Sequence, residues 1–312
     1  MDKSNAKIVF MGTPEIAAKV LRGLILDGYN VVALVAQPDR PVGRKKILEP
    51  VPTKKVALEF NIPVYQKEKI SKDYEFLKEI KPDVIITLAY GQIVPQGMLD
   101  IPTLGAINLH GSLLPKYRGA APIQYSLINN DKVTGMTLMK MIKAMDAGEM
   151  YDKEEVEISN DDNMTSLFEK MGDAALRLIL RALPKYLTGE LKGVPQDESL
   201  VSFSPSIKPE EEKLDLSLTK ERIFGYIRAL SDVPGAFLYL ENEKIKIYKA
   251  EIINDEVTHD IGEIIKADKN GLYFQASNGV LGILELQKEG KKRMDYHSFI
   301  NGNQGLLGKK LY

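Results

Sequence analysis

The 312-residue sequence contains no cysteine and no tryptophan, and only three histidines. The missing cysteine removes disulfides, thiolate nucleophiles and cysteine-ligated zinc together, and it fits a reducing compartment. No apolar run approaches the roughly 18 residues needed to span a bilayer. The N-terminal residues Met1–Lys7 carry no apolar signal-peptide core, so a cytoplasmic location is the expectation. A net charge of −1 gives no global attraction to nucleic acid or membrane, and any such partner must find a local patch. A glycine-rich phosphate loop is also missing. Gly12-Thr13-Pro14 follows the first apolar run, but Pro14 and Ala17 stand where a dinucleotide fold has its second and third glycines. A pyrophosphate then cannot approach the backbone closely, which disfavours an NAD-type site.

What is present is ordinary globular composition, 44% apolar and 27% charged, in a chain long enough for two domains. Its first half alternates short apolar runs (Ile8–Met11, Val31–Val35, Val84–Leu88, Ala106–His110) with amphipathic segments. That is the pattern of an α/β, Rossmann-like, mostly parallel sheet with helices on both faces. Helices are predicted over 15–26, 53–60, 73–80 and 120–128, with Thr13 as the first N-cap and Pro14 at the first helical position. Strands follow near 134–141 and 150–158. A long helix from about Met164 to Tyr186 repeats Leu167, Met171, Ala174, Leu178 and Ala182 at helical spacing. Glycine, proline and serine scattered among charges make 189–208 a linker between a catalytic domain (1–188) and a C-terminal domain (209–312). The latter shows one helix, about 220–230, and five short alternating strands between Ala236 and Leu286. These suggest a small β-barrel or sandwich of OB-like size.

Asn108-Leu109-His110-Gly111-Ser112-Leu113-Leu114-Pro115 is the segment richest in chemistry, with Asp146 in Met145-Asp146-Ala147-Gly148 beyond it. Asn108 and His110 are two apart at a strand end, so their side chains leave on one face. An amide to bind an oxyanion, an imidazole as general base and a carboxylate to orient it can move an acyl group without metal or covalent intermediate. The alternative is a capped turn holding a structural histidine. No second histidine lies at ligand spacing, which argues against a metal. The loop from Ser112 to Gln124 offers apolar residues and backbone groups to a flat aromatic ligand, and Ala89-Tyr90-Gly91 is placed to form an opposite wall. Either stretch also reads as a plain strand-to-helix connection. From Pro38 to Lys55 six cations, Arg40, Arg44, Lys45, Lys46, Lys54 and Lys55, face only Asp39 and Glu49. This is a solvated loop or a phosphate-contacting one.

Together these pieces resemble the methionyl-tRNA formyltransferase family of 10-formyltetrahydrofolate-dependent transferases. The motifs are Gly12-Thr13-Pro14, Gln37-Pro38-Asp39-Arg40-Pro41 with Gly43-Arg44, Ala89-Tyr90-Gly91, Asn108–Gly119, Ala120-Ala121-Pro122-Ile123-Gln124 and Asp146-Ala147-Gly148. Asn-x-His with a later aspartate marks the superfamily; the Pro-Asp-Arg-Pro loop with Ala-Ala-Pro-Ile-Gln is more specific to the tRNA enzyme. The resemblance implies Asn108, His110 and Asp146 as catalytic triad, and Ser112, Leu113, Leu114 and Pro115 at a folate site with Tyr90 and Gly91 nearby. It further implies tRNA contact by Arg40, Arg44, Lys45 and Lys46, and an OB-like RNA-binding C-terminal barrel. The co-substrate would be 10-formyltetrahydrofolate, with no metal, and the partner methionyl initiator tRNA; a monomer is expected. An amino-sugar nucleotide or water as formyl acceptor remains an alternative. The chain departs from the family pattern at Phe203–Lys208 and at the tryptophan-free turn Ser231-Asp232-Val233-Pro234. From Pro209 onward it has 15 Lys/Arg against 17 Asp/Glu, which leaves only local patches such as Lys288, Lys291, Lys292 and Arg293, or Lys309 and Lys310, for RNA.

Overall fold

The computed structural model describes residues 2–42 and 47–312. In chain order the first elements are β1 (Ile8–Gly12), α1 (Glu15–Leu26), β2 (Val31–Ala36), β3 (Arg40–Val42) and β4 (Ile47–Glu49). Then come α2 (Pro52–Glu59), β5 (Val64–Gln66), α3 (Phe76–Ile80), β6 (Val84–Leu88), α4 (Gln96–Leu99) and β7 (Ala106–His110). They are followed by α5 (Pro122–Ile128), β8 (Val133–Lys140), β9 (Met150–Glu157) and α6 (Met164–Leu187). The chain divides into two compact units, the first made of Met1–Gly119, Thr134–Glu157 and Phe168–Phe203.

In the first unit one seven-stranded sheet runs β5-β2-β1-β6-β7-β8-β9. The pairs from β5 to β7 are parallel, and β8 returns antiparallel to β7. Every residue of β1 and β6 is buried, as central parallel strands covered on both faces require. Strand order reverses between β1 and β6, so the crevice at their carboxyl ends is where such a sheet holds its ligand. Gly12 closes β1 because a Cβ there would stand 2.7 Å from both the Leu88 carbonyl and the Ala17 Cβ.

Some local expectations are corrected. Thr13 does not cap α1, which begins at Glu15 with Pro14 in the cap position. The Thr13 hydroxyl instead donates to the Tyr90 carbonyl (3.2 Å) and accepts the Gln37 N–H (3.2 Å), tying together the chain just beyond β1, β2 and β6. The segment expected as an irregular loop has paired flanks, Arg40 opposite Glu49 and Pro41 opposite Leu48. Arg44, Lys45 and Lys46 lie outside the described residues.

The second unit comprises Ala120–Val133, Ile158–Leu167 and Ser204–Tyr312. It adds α7 (Lys220–Leu230), β10 (Ala236–Leu240), β11 (Glu243–Asn254), β12 (Ile264–Asp268), β13 (Gly271–Ala276), β14 (Gly279–Lys288), β15 (Met294–Asp295) and α8 (Tyr296–Asn301). Its sheet runs antiparallel in the order β10-β11-β14-β13-β12. The chain end joins the two edges, with Leu311 bridged to Leu240 on β10 and Lys310 to Glu263 beside β12. That leaves no long open edge and gives the small closed sheet that the strand spacing anticipates. Ile223 and Ile227 of α7 pack with Leu238, Ile247, Phe274 and Phe299 in its core.

Candidate active site

Three strand ends build the site. On β7, Asn108 and His110 sit two residues apart on the same face. The β6–β7 register sets Thr87 beside Asn108, and the Thr87 hydroxyl donates to Asn108 Oδ1 (2.7 Å). With its carbonyl oxygen so engaged, the Asn108 amide turns its N–H groups the other way, the orientation an oxyanion needs.

His110 is buried, 5% exposed. Its Nε2 donates to the Tyr117 carbonyl at 2.8 Å. Because a carbonyl only accepts, Nε2 carries the hydrogen and Nδ1 is the basic nitrogen. Nδ1 stands 3.6 Å from Asp146 Oδ1, too long for a hydrogen bond and near enough for an imidazolium–carboxylate pair. The tautomer is thus set by Tyr117 rather than by Asp146, the role the sequence pattern suggests for the aspartate. Asp146 is left to meet the ring when Nδ1 is protonated.

Asp146 sits after β8 in the left-handed region (φ +52°), and its Oδ2 accepts the Gly119 N–H (2.9 Å). Two residues on, a Cβ at Gly148 would collide with the Lys140 carbonyl, so the turn requires glycine there. Gln196, a residue that sequence reasoning does not single out, donates to the carbonyls of Asp146 (2.7 Å) and Gly148 (2.9 Å). Thr87 carries a weak signal in the sequence, the one hydroxyl in an otherwise apolar strand; Gln196 carries none.

The expected folate segment divides in two. Ser112 and Leu114 are fully buried, with Ser112 Oγ donating to the Lys116 carbonyl (2.5 Å) and the Leu114 N–H donating to Thr137 (3.1 Å). Leu113 and Pro115 are partly exposed. Lys153 of β9 donates to the Leu114 carbonyl (2.5 Å), and burial pushes its ammonium below the usual lysine range. Tyr90 turns its ring into the core beside Val9, Met11 and Met98, and burial pushes its phenol up to about 12. Its neighbours Ala89 (φ +49°) and Gly91 (φ +89°) are exposed.

Of the cationic segment, Arg40 is exposed and makes no ion pair among the described residues. Lys54 is held by Asp39 (2.5 Å) and Lys55 faces Glu49 (3.8 Å). Burial alone would raise the Asp39 carboxyl, yet bonds from Lys54, Gln66 and the Val51 N–H hold it below its ordinary value. In the second unit, Lys288, Arg293, Lys309 and Lys310 are each paired with carboxylates, which removes most of the basic patches expected there. Cations over rings stand out instead: Lys244 over Phe237 (3.6 Å), and Lys213 over Tyr239 and Tyr312 (both 5.6 Å). Among the described residues no three His, Asp or Glu side chains converge as metal ligands, and no helix is long and apolar enough to cross a membrane.

Comparison with known proteins gives the kinship of the chain. Residues 6–183 match the formyl transferase family and residues 206–304 the formyl transferase C-terminal domain. A methionyl-tRNA formyltransferase of Ligilactobacillus salivarius is 45% identical over 310 residues, covering 97% of this chain and 98% of the relative. Among solved structures, an N-formyltransferase of Helicobacter canadensis, in complex with folinic acid and dTDP-3-aminofucose, superposes with a TM-score of 0.70 at 18% identity. It covers 91% of this chain and 99% of that one. HypX of Aquifex aeolicus, in complex with tetrahydrofolic acid, gives 0.65 at 15% identity over 97% of this chain, which spans about half of HypX (48%). The last two likenesses show the fold alone, whereas the full-length identity shows kinship: the chain belongs to the methionyl-tRNA formyltransferase family of formyl transferases.

Proposed function

We propose that this chain transfers the formyl group of 10-formyltetrahydrofolate to the α-amino group of methionyl initiator tRNA. The observation that carries the chemistry is the meeting of Asn108, His110 and Asp146 at the carboxyl end of β7. The acceptor rests on the full-length relatives, which are methionyl-tRNA formyltransferases.

Three side chains divide the work. Asn108 Nδ2 donates to the oxygen that gains negative charge as the neutral amine adds to the formyl carbon, a contribution of about 10²–10³ in rate. His110 Nδ1 takes the proton released by the amine, directly or through a water, and returns it to N10 of the departing folate as that C–N bond breaks. General base catalysis of this kind is worth about 10²–10⁴. The Asp146 carboxylate offsets the charge that the imidazole carries between these two transfers. Leu113 and Pro115 on one side, and the backbone of Ala89 and Gly91 on the other, fit a flat heteroaromatic ring with polar edges. In this reading residues 1–188 are catalytic, 189–208 connect, 209–312 and the Arg40, Arg44, Lys45 and Lys46 cations contact RNA, and the protein works in the cytoplasm.

One assay separates the possible acceptors. The protein is incubated with 10-formyltetrahydrofolate and charged initiator tRNA, an amino-sugar nucleotide, or water alone, and the formyl group is followed. Formylmethionyl-tRNA is the expected product, and formate or a formylated sugar as the main product overturns the proposal. His110→Ala should lose two to four decades of turnover while folate binding largely persists. Near-normal turnover in that variant overturns the site.

A further inference from the structure

By composition the chain after α6 is a spacer, yet its residues 194–203 are bonded along the catalytic loops. Val194 exchanges two backbone hydrogen bonds with Met150 (both 2.8 Å). Ser202 accepts the Tyr117 N–H on its hydroxyl (3.0 Å) and the Arg118 N–H on its carbonyl (2.8 Å). Between them lies Gln196, only 9% exposed. Its amide is fully used: Nε2 gives its hydrogens to the carbonyls of Asp146 and Gly148, and Oε1 accepts from Arg118 Nε (2.9 Å). Arg118 is itself buried, 6% exposed, and forks onto Glu198 (2.7 and 3.2 Å).

This geometry selects an amide. Two carbonyls converge from the 146–148 turn, and only a two-hydrogen donor satisfies both. The guanidinium of Arg118 fixes which end of the Gln196 amide faces them. The turn needs such support, because a non-glycine residue in the left-handed region persists only where its surroundings over-determine it. We infer that Gln196 is a positioning residue for formyl transfer: by bridging the carbonyls of Asp146 and Gly148 it holds the Asp146 carboxylate opposite His110 Nδ1. The inference rests on the reading of Asp146 as the partner of His110. It also makes the segment after α6 part of the catalytic apparatus rather than a tether.

The test is a double-mutant cycle with Gln196→Met, which keeps size and removes the amide, and Asp146→Asn. Gln196→Met alone should lower kcat about 10–100-fold, the usual cost of losing a support behind a catalytic group. KM for 10-formyltetrahydrofolate and for charged tRNA should stay within about threefold. In the Asp146→Asn background the same change should lower kcat less than about threefold, because the group it positions has already lost its charge. Near-normal kcat in Gln196→Met, a loss expressed in KM, or equal losses in both backgrounds overturns the inference. If Gln196→Met does not fold, Gln196→Glu, which turns an oxygen toward the two carbonyls, is read by the same criteria; if neither folds, Gln196 is a determinant of the fold and the inference falls. Near-normal turnover in Asp146→Asn alone overturns the underlying site reading instead.

Discussion

The Thr87 hydroxyl has one proton, and its shortest acceptor is Asn108 Oδ1. That single bond decides which end of the Asn108 amide faces the crevice. Thr87→Val keeps the shape and removes the proton, so the amide loses its orientation. The expected result is a fall in kcat of about tenfold, smaller than the roughly 10²–10³ for Asn108→Ala, with Thr87→Ser close to the parent enzyme. Steady-state turnover at saturating folate and tRNA checks this, and equal rates for Val and Ser remove Thr87 from the site. The pairing of Asn108 with His110 is legible in the sequence because side chains two apart on a strand share a face. Its pairing with Thr87 is not, since which residue stands beside Asn108 depends on strand register across the sheet. Gln196 and the Tyr117 carbonyl are hidden for a related reason. One is a side chain reaching 50 residues back along the chain to the Asp146 carbonyl, the other a backbone atom aimed by a left-handed residue (φ +62°).

At the scale of elements, the N-terminus of α7 concentrates charge in a small space. Thr219 caps it, accepting the Arg222 N–H at 3.4 Å. The buried Lys220 ammonium lies between Glu221 (2.7 Å) and Asp255 (2.8 Å). Burial alone would raise the Glu221 carboxyl, but Lys220 and the Asn278 amide outweigh it and pull it down from 4.5 to about 2. A carboxyl lowered by folding stabilises the native state above pH 4.5, and that contribution fades as pH falls toward 2. Glu221 is 45% exposed, so solvent screens the pair. Glu221→Gln should therefore lower Tm by only about 1–3 °C at neutral pH. The gap should close between pH 4.5 and 2, and a gap that persists at pH 2 would assign the effect to something other than ionisation. Long elements such as α1, α6 and α7 are legible because their apolar spacing repeats over several turns. The elements β5, α4 and α8 span three to six residues, too few for a period to emerge. The β3–β4 pairing is obscured by Pro38, Pro41 and Gly43, which read as loop residues.

For the whole molecule, a net charge of −1 means that a polyanion as large as tRNA must be drawn by a local field. The charge distribution narrows where that field lies. Lys54, Lys55, Lys288, Arg293, Lys309 and Lys310 are compensated by neighbouring carboxylates. Arg40 is exposed and unpaired among the described residues, and the sequence sets Arg44, Lys45 and Lys46 close to it. A cation that already holds a carboxylate releases few counterions when a phosphate arrives, whereas an uncompensated one releases nearly a full ion for each phosphate it meets. Replacing Arg40, Arg44, Lys45 and Lys46 with glutamine should therefore raise KM for charged tRNA at least tenfold and leave kcat at saturating tRNA nearly intact. The slope of log kcat/KM against log salt should become shallower by about one for each phosphate no longer neutralised. Lys309→Gln with Lys310→Gln removes paired charge and should leave the slope almost unchanged. Measuring kcat/KM for all three proteins across a range of salt concentrations distinguishes the two sets. An unaltered slope in the loop variant would show that the tRNA is held elsewhere, with the Lys213 and Lys244 positions over Phe237, Tyr239 and Tyr312 as the next place to neutralise.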